Sequence, residues 1–224
     1  MTALPDLTWP EVARLGRTGQ VLVVPLGATE QHGPHLPVST DTDIAVALAE
    51  RLARQSPDVV VTMPVAFGAS GEHQDFPGTL SIGQAALELL LLELCRSAGA
   101  SFSRTVIISA HGGNAEPVVR AVRRLRDEGR EVRAFAPRWR GDAHAGRTET
   151  SVMLALAPER VRLEHAEAGD TTPIAELMPR LRRDGLRAVT PNGVLGDPAG
   201  ANAEEGEELL RRAVDDLVAL VKRL

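Results

Sequence analysis

A single cysteine, Cys95, stands in 224 residues, so an internal disulfide is impossible. Set in the apolar run LELLLLELCRSAGA, its thiol reads as a buried core group. No apolar run approaches the roughly 18 residues of a membrane span. The start, MTALPDLTWPEVARLG, has no basic segment followed by an apolar one. A cytoplasmic location is therefore expected. Charge of one sign is also missing: 25 Lys and Arg against 30 Asp and Glu leave a net charge of -5, with both signs interspersed. Nucleic-acid binders concentrate basic residues in a patch or stripe, so no nucleic acid and no membrane is expected as a partner. Apolar residues at 43% and charged residues at 25% exclude disorder as the main state. At this length one domain over 1–224 can bury a core without staples, and neither a repeat nor an interdomain linker is visible.

What is present is an alternation of strand and helix patterns. QVLVVPLG (20–27), DVVVTMPVAFG (58–68) and RTVIISA (104–110) are rich in β-branched residues and read as strands, and EVRAFAP (131–137) reads as a fourth. Helical spacing marks 42–55, 81–100 with Ser81 as its cap, 115–128, 148–157 and 203 to about 223. Asn202 and Glu205 have capping-box spacing ahead of the last. The order predicts an α/β fold with a mostly parallel sheet between helix layers.

The stretch GATEQHGPHLPVSTDTD (27–43) follows the first strand and carries the chemistry. In an extended segment Glu30 and His32 point to one side while Gln31 faces away. Ligands of open α/β sheets bind beyond the carboxyl ends of the strands, where His111 also falls, and Asp41 at the next helix start can close over the same spot. Taken singly each has an ordinary reading: a solvated Glu30, an N-cap Asp41, a turn His111 in a glycine-rich HGGN that could equally form an oxyanion hole or phosphate nest. Together they are the ligand types of zinc, manganese or ferrous iron. In GDAHAGRTETS, His144 is placed to act as a general acid or base. Glu149 either complements a helix dipole or adds a fifth ligand. Five ligands exceed one tetrahedral ion and argue for two, sharing a carboxylate and activating a water. Ser70, Glu72 and His73 share a loop on the same edge, with substrate contact or loop structure both open. His35 reads as a packing group, His165 and the arginines of RLRRDGLR as solvated, and Trp139 as a pocket wall or a half-buried aromatic.

EQHGPHLPVSTDTD, HGGN and HAGRTETS resemble the creatininase family of metal-dependent amidohydrolases, the match running from about Val21 to Gly206. The resemblance implies a single αβα domain, a ring-like homo-oligomer and two divalent ions (zinc, iron or manganese). Glu30, Asp41 and His111 would hold one ion, and His32 with the shared Asp41 the other, beside a proton-shuttling His144. One departure stands out. Creatinine-hydrolysing members carry a ligating Glu where this chain has Gly113, which leaves Glu149 as the replacement and makes creatinine a poor substrate. The patterns FGASGEHQDFPGTLSIG and NGVLGDPAGANAEEG resemble a peptidase branch of the family. That implies a modified precursor peptide as substrate, cut near its C-terminus at Val-Tyr; Ser70 and His73, from their loop position, are the candidate substrate contacts. A small formamide or cyclic amide is the alternative substrate, and a non-catalytic metal-binding module the alternative class.

Overall fold

The computed structural model describes residues 2–16, 18–139 and 141–224. Among the described residues five parallel strands form one sheet: β1 (Thr2–Ala3), β2 (Val21–Leu26), β3 (Val59–Val61), β4 (Arg104–Ser109) and β5 (Glu131–Phe135), in the order β1-β3-β2-β4-β5. The helices are α1 (Trp9–Gly16), α2 (Thr40–Gln55), α3 (Gly83–Ala98), α4 (Ala115–Asp127), α5 (Arg147–Leu156), α6 (Ile174–Asp184), α7 (Leu186–Val189) and α8 (Ala203–Val221).

In β2, β3 and the middle of β4 the side chains alternate between two cores, which is why those runs are apolar throughout; edge strand β5 (EVRAF) instead alternates Glu131 and Arg133 with buried Val132. Val21, Val23, Val106 and Ile108 pack with Ile44, Leu48 and Leu52 of α2, Val152 of α5 and Leu210 of α8. Leu22, Val24, Leu26 and Ile107 pack on the other face with Leu87, Leu91 and Cys95 of α3 and Leu125 of α4. Cys95 is thus the buried thiol expected, and burial pushes its pKa up to about 11. The expected αβα layering and parallel sheet are both observed. Among the described residues no helix is long and apolar enough to cross a membrane.

Several boundaries differ for local reasons. The run 58–68 is strand only to Val61, with a lone later bridge from Val65 to Leu26, because Pro64 between them has no N–H for a ladder. Ser81 does not cap α3; its Oγ accepts the backbone N–H of Ser70 at 2.9 Å and of Gly83 at 3.2 Å. Asn202 does cap α8, accepting from Glu205 N at 2.9 Å. The Glu205 carboxylate does not return the bond but takes Arg147 Nε at 2.8 Å and Ser151 Oγ at 3.2 Å, tying α8 to α5. Helices α1, α6 and α7 fall outside the predicted elements. α6 holds Pro179 internally, and its Leu177 and Leu181 join Leu186, Val189 and Leu195 in a third small cluster. The arginines there are exposed as expected, and Arg187 also donates to Asp75 O at 2.7 Å and lies 5.5 Å from the Phe76 ring centre.

β2 and β4 are neighbours, paired as far as Leu26 and Ser109. From β2 the chain proceeds to β3 on one side, and from β4 to β5 on the other. This is a topological switch point, and the crevice outside the carboxyl ends of β2 and β4 is where such sheets bind ligands.

Candidate metal centre

Both central strands deliver their next residues into that crevice. A Cβ on Gly27 would collide with the Thr42 backbone, so glycine there lets the first turn of α2, with Asp41, approach the end of β2. The loop then turns at Gly33 (φ 64°), and His32 bridges to Leu36. His111 follows β4 directly. His144 is held by backbone bonds with Leu195, donating at 3.2 Å and accepting at 2.9 Å, and precedes Ala145, whose φ of 50° is unusual for a side-chain-bearing residue.

Glu30, His32, Asp41, His111 and His144 are all buried, and they meet. Asp41 Oδ1 lies 3.2 Å from His32 Nε2, and Oδ2 lies 3.3 Å from His111 Nδ1. Glu30 Oε2 lies 3.1 Å from His111 Nε2, and Oε1 3.9 Å from His144 Nδ1. Glu149 Oε2 stands 3.9 Å from His32 Nε2 and 4.0 Å from His144 Nδ1. Every residue expected as a ligand, and the expected proton carrier, therefore surrounds one volume. Among the described residues three groupings have ligand atoms close enough to share an ion: Glu30, Asp41 and His111; His32, His144 and Glu149; and Glu30, His73 and His144.

The donor set fits divalent ions. Both Glu30 oxygens and Asp41 Oδ2 are buried without an aligned hydrogen bond, a costly state unless a cation completes them. Backbone carbonyls also select which imidazole nitrogen keeps its proton. His32 Nδ1 faces Glu30 O at 3.2 Å, and His111 Nε2 faces Ala69 O at 3.2 Å. Each carbonyl accepts an N–H and leaves the other ring nitrogen, beside Asp41, free to ligate.

The electrostatics of these side chains show the same demand for a cation. Burial works against a charged His32 and His111, yet the carboxylates of Asp41 and Glu30 overcome it and push both to about 10. Burial works against Glu30 ionisation too, but chiefly His111 holds Glu30 well below the usual carboxylate range. Burial raises Asp41, with His32 opposing. Burial lowers both His144 and His73, His73 to about 4, because Glu30 opposes it too weakly and the neighbouring histidines add to it. Burial drives Glu149 up to about 7.

Not all expectations about side-chain direction hold. Gln31 does not face away: its Nε2 lies 3.0 Å from His73 Nδ1 and 3.1 Å from His144 Nε2. The loop turns within a residue or two, so strand alternation does not apply; the adjacent Gly33 is the signal that could have shown it. His73 also reaches the centre, its Nε2 3.2 Å from Glu30 Oε1. Ser70 is buried with Oγ 3.4 Å from His111 Nε2, so it meets the histidine from behind. At Gly113 a Cβ would collide with Glu72 Oε1, His111 Nε2 and Ala69 O. The Glu72 carboxylate, 3.5 Å from His111 Nε2, occupies the room a side chain at 113 would need. His35 packs as expected, buried with Nε2 2.8 Å from Thr150 Oγ1, and His165 is exposed.

Two clefts open onto the centre. One, of about 610 Å³, runs past Phe135, Trp139, Asp142 and Ile174; the other, of about 700 Å³, passes Glu72, His73, Met178 and Arg182. His111, Gly112 and His144 line both. Trp139 is half-buried, so it is at once the pocket wall and the packed aromatic considered from the sequence.

The creatininase family model, described as creatinine amidohydrolase, matches residues 5–221. The mycofactocin precursor peptide peptidase of Mycobacterium ulcerans is 48% identical, with 98% of this chain and 92% of that protein covered. Its counterpart in Mycolicibacterium smegmatis is 50% identical over 91% of this chain and 85% of its own. Among solved structures, one named creatininase Mn superposes with a TM-score of 0.83 at 26% identity, covering 99% of this chain and 98% of its own. A creatininase variant described as of Zn-Zn type gives 0.81 at 26% identity, covering 99% and 97%.

Proposed function

This chain belongs to the creatininase family of hydrolases, and from that premise we propose that it is a metal-dependent peptidase acting on the modified mycofactocin precursor peptide, cutting near the C-terminal Val-Tyr. The observation that carries the metal-dependent reading is the convergence of buried carboxylate oxygens of Glu30 and Asp41, lacking aligned hydrogen bonds, on the imidazoles of His32 and His111. Glu30, Asp41 and His111 would hold one divalent ion, and His32, Asp41 and Glu149 a second. Relatives named as peptidases of this precursor support the substrate. So do two clefts meeting at His111 and His144, which suit a chain running through the site better than a small cyclic amide.

When bound, the pair of ions lowers the pKa of a water towards neutrality and polarises the scissile carbonyl. The chain's own residues do the rest. His144, uncharged because it is buried, accepts a proton shed by the attacking water, whose oxygen bonds to the carbonyl carbon. As the C–N bond breaks, the same proton passes from His144 to the leaving nitrogen, which would otherwise depart as a strongly basic anion. His73 lines the second cleft beside this path, and Ser70 supports His111 from within the fold. Exposed Leu89, Leu90 and Leu94 on one α3 surface support a homo-oligomer.

Elemental analysis combined with mass spectrometry of products tests the reading. Stoichiometric zinc, iron or manganese and a precursor shortened at Val-Tyr are the expected results. Turnover of formylated pyrimidines or lactams with an intact peptide would replace the substrate, and bound metal with no product from either would replace the enzyme.

A further inference from the structure

We propose that Gln31 is a positioning residue that gives His73 and His144 opposite proton placements, presenting a protonated nitrogen of His73 and an unprotonated nitrogen of His144 to the centre. Its catalytic consequence rests on the peptidase reading; the proton placement itself does not.

Hydrogen bonds to groups of fixed role orient the Gln31 amide. Gly33 N, which can only donate, lies 2.8 Å from Oε1, and Gly193 O, which can only accept, lies 3.1 Å from Nε2. The nitrogen side therefore faces the two histidines. His144 Nε2 lies 2.9 Å from the backbone oxygen of Gln31 itself. That carbonyl requires a proton on Nε2, which leaves the lone pair on Nδ1, the atom facing Glu30 and Glu149. The two amide protons of Gln31 are then matched to two acceptors, Gly193 O and His73 Nδ1. With the opposite His144 tautomer, three acceptors would compete for two protons, and the Gln31 carbonyl would face a lone pair.

The result for His73 is the reverse of that for the other histidines. Accepting at Nδ1, a neutral His73 carries its proton on Nε2, 3.2 Å from Glu30 Oε1. A neutral ring ligating through Nε2 would have to place its proton on Nδ1, against the Gln31 N–H. Gln31 thus removes His73 from the ion-binding set, although Glu30, His73 and His144 are near enough to form one. His73 becomes the inward hydrogen-bond donor, and His144 the inward acceptor that can take the proton of water. The backbone around Gln31 is shaped to hold this amide: Gly193 has φ 79°, and a Cβ there would collide with Gln31 Oε1.

Magic-angle-spinning NMR of the zinc-loaded chain with ring-15N histidine reads protonated and unprotonated nitrogens directly, with signals assigned through His73→Asn and His144→Asn. The expected spectrum has His73 protonated at Nε2 alone and His144 protonated at Nε2. Gln31→Glu, which replaces the donor by an acceptor, should move the His73 proton to Nδ1 and lower peptide turnover about 10–100-fold, the scale for losing a partner that orients site groups. A native His73 protonated at Nδ1 overturns the proposal, as does a Gln31→Glu protein in which His73 is unchanged. The native spectrum alone decides between the two His73 tautomers even if the variant does not fold. No substrate is needed for it, so failure of peptide cleavage would count against the peptidase reading alone.

Discussion

Without bound metal, stability should fall as pH rises, and Glu149 should account for much of the fall. Its side chain is 13% exposed, and Oε2 accepts the Ala145 N–H at 2.6 Å with His32 3.9 Å away. Burial raises the carboxyl from 4.5 to about 7, Asp41 and Glu30 adding to the rise and His32 opposing it. Between those two values the folded chain keeps a proton that the unfolded chain has released, so raising the pH through this window favours unfolding. At about 1.36 kcal/mol for each pH unit, the interval corresponds to about 3 kcal/mol. For a chain of this size that lowers Tm by roughly 6–12 °C. Thermal melts in EDTA between about pH 5 and 8 should show this decline in the native chain and lose it in Glu149→Gln, which keeps the shape without the charge. Other groups titrate in both proteins, so the difference in slope isolates Glu149. Saturating zinc should abolish the native decline by favouring the carboxylate. Equal slopes for the two metal-free proteins would refute the reasoning.

Four further outcomes are expected. Glu30→Gln, Asp41→Asn and His111→Ala should each lose bound metal by elemental analysis and abolish turnover, since each removes a proposed ligand atom from a buried centre. His144→Ala should retain metal and lose about 10²–10⁴-fold in rate; full activity would remove it as proton carrier. Because His32 and His111 sit at about 10 without ions, zinc loading at neutral pH should release protons. Titration calorimetry in buffers of different ionisation enthalpy reads that release, and identical heats would contradict it. Gly206→Ala should cost about 1–3 kcal/mol in a denaturant melt without altering metal content, because its Cβ would collide with Ser151 O where α8 crosses α5.

Much of the fold was legible because burial on both faces of a parallel sheet writes itself as continuous valine, isoleucine and leucine runs. Strands β2, β3 and β4 were visible for that reason, and α2, α3, α4, α5 and α8 from their apolar spacing; β5 (EVRAF) is a half-exposed edge strand without such a run. The two-residue β1 is too short to carry a pattern, and the Pro179 in α6 is a breaker signal that tertiary packing of Leu177 and Leu181 overrides. At the centre, Glu30, His32, Asp41, His111, His144 and Glu149 could be nominated because, although each singly has an ordinary reading, together they are the ligand and proton-carrying types of a divalent metal centre. Gln31 could not be, since its role depends on the turn at Gly33 and on His73, 42 residues away.

Sequence by itself determined the layer architecture, the chemical types at the site and the two strand ends that supply them, for these follow from hydrophobic period and residue chemistry along one chain. Only the tertiary structure decided which nitrogen of each histidine faces the centre, that Glu72 fills the room above Gly113, and that His73 stands beside Glu30. Those outcomes depend on distances between segments brought together by the sheet, and a linear pattern carries no record of which acceptor a given N–H will meet.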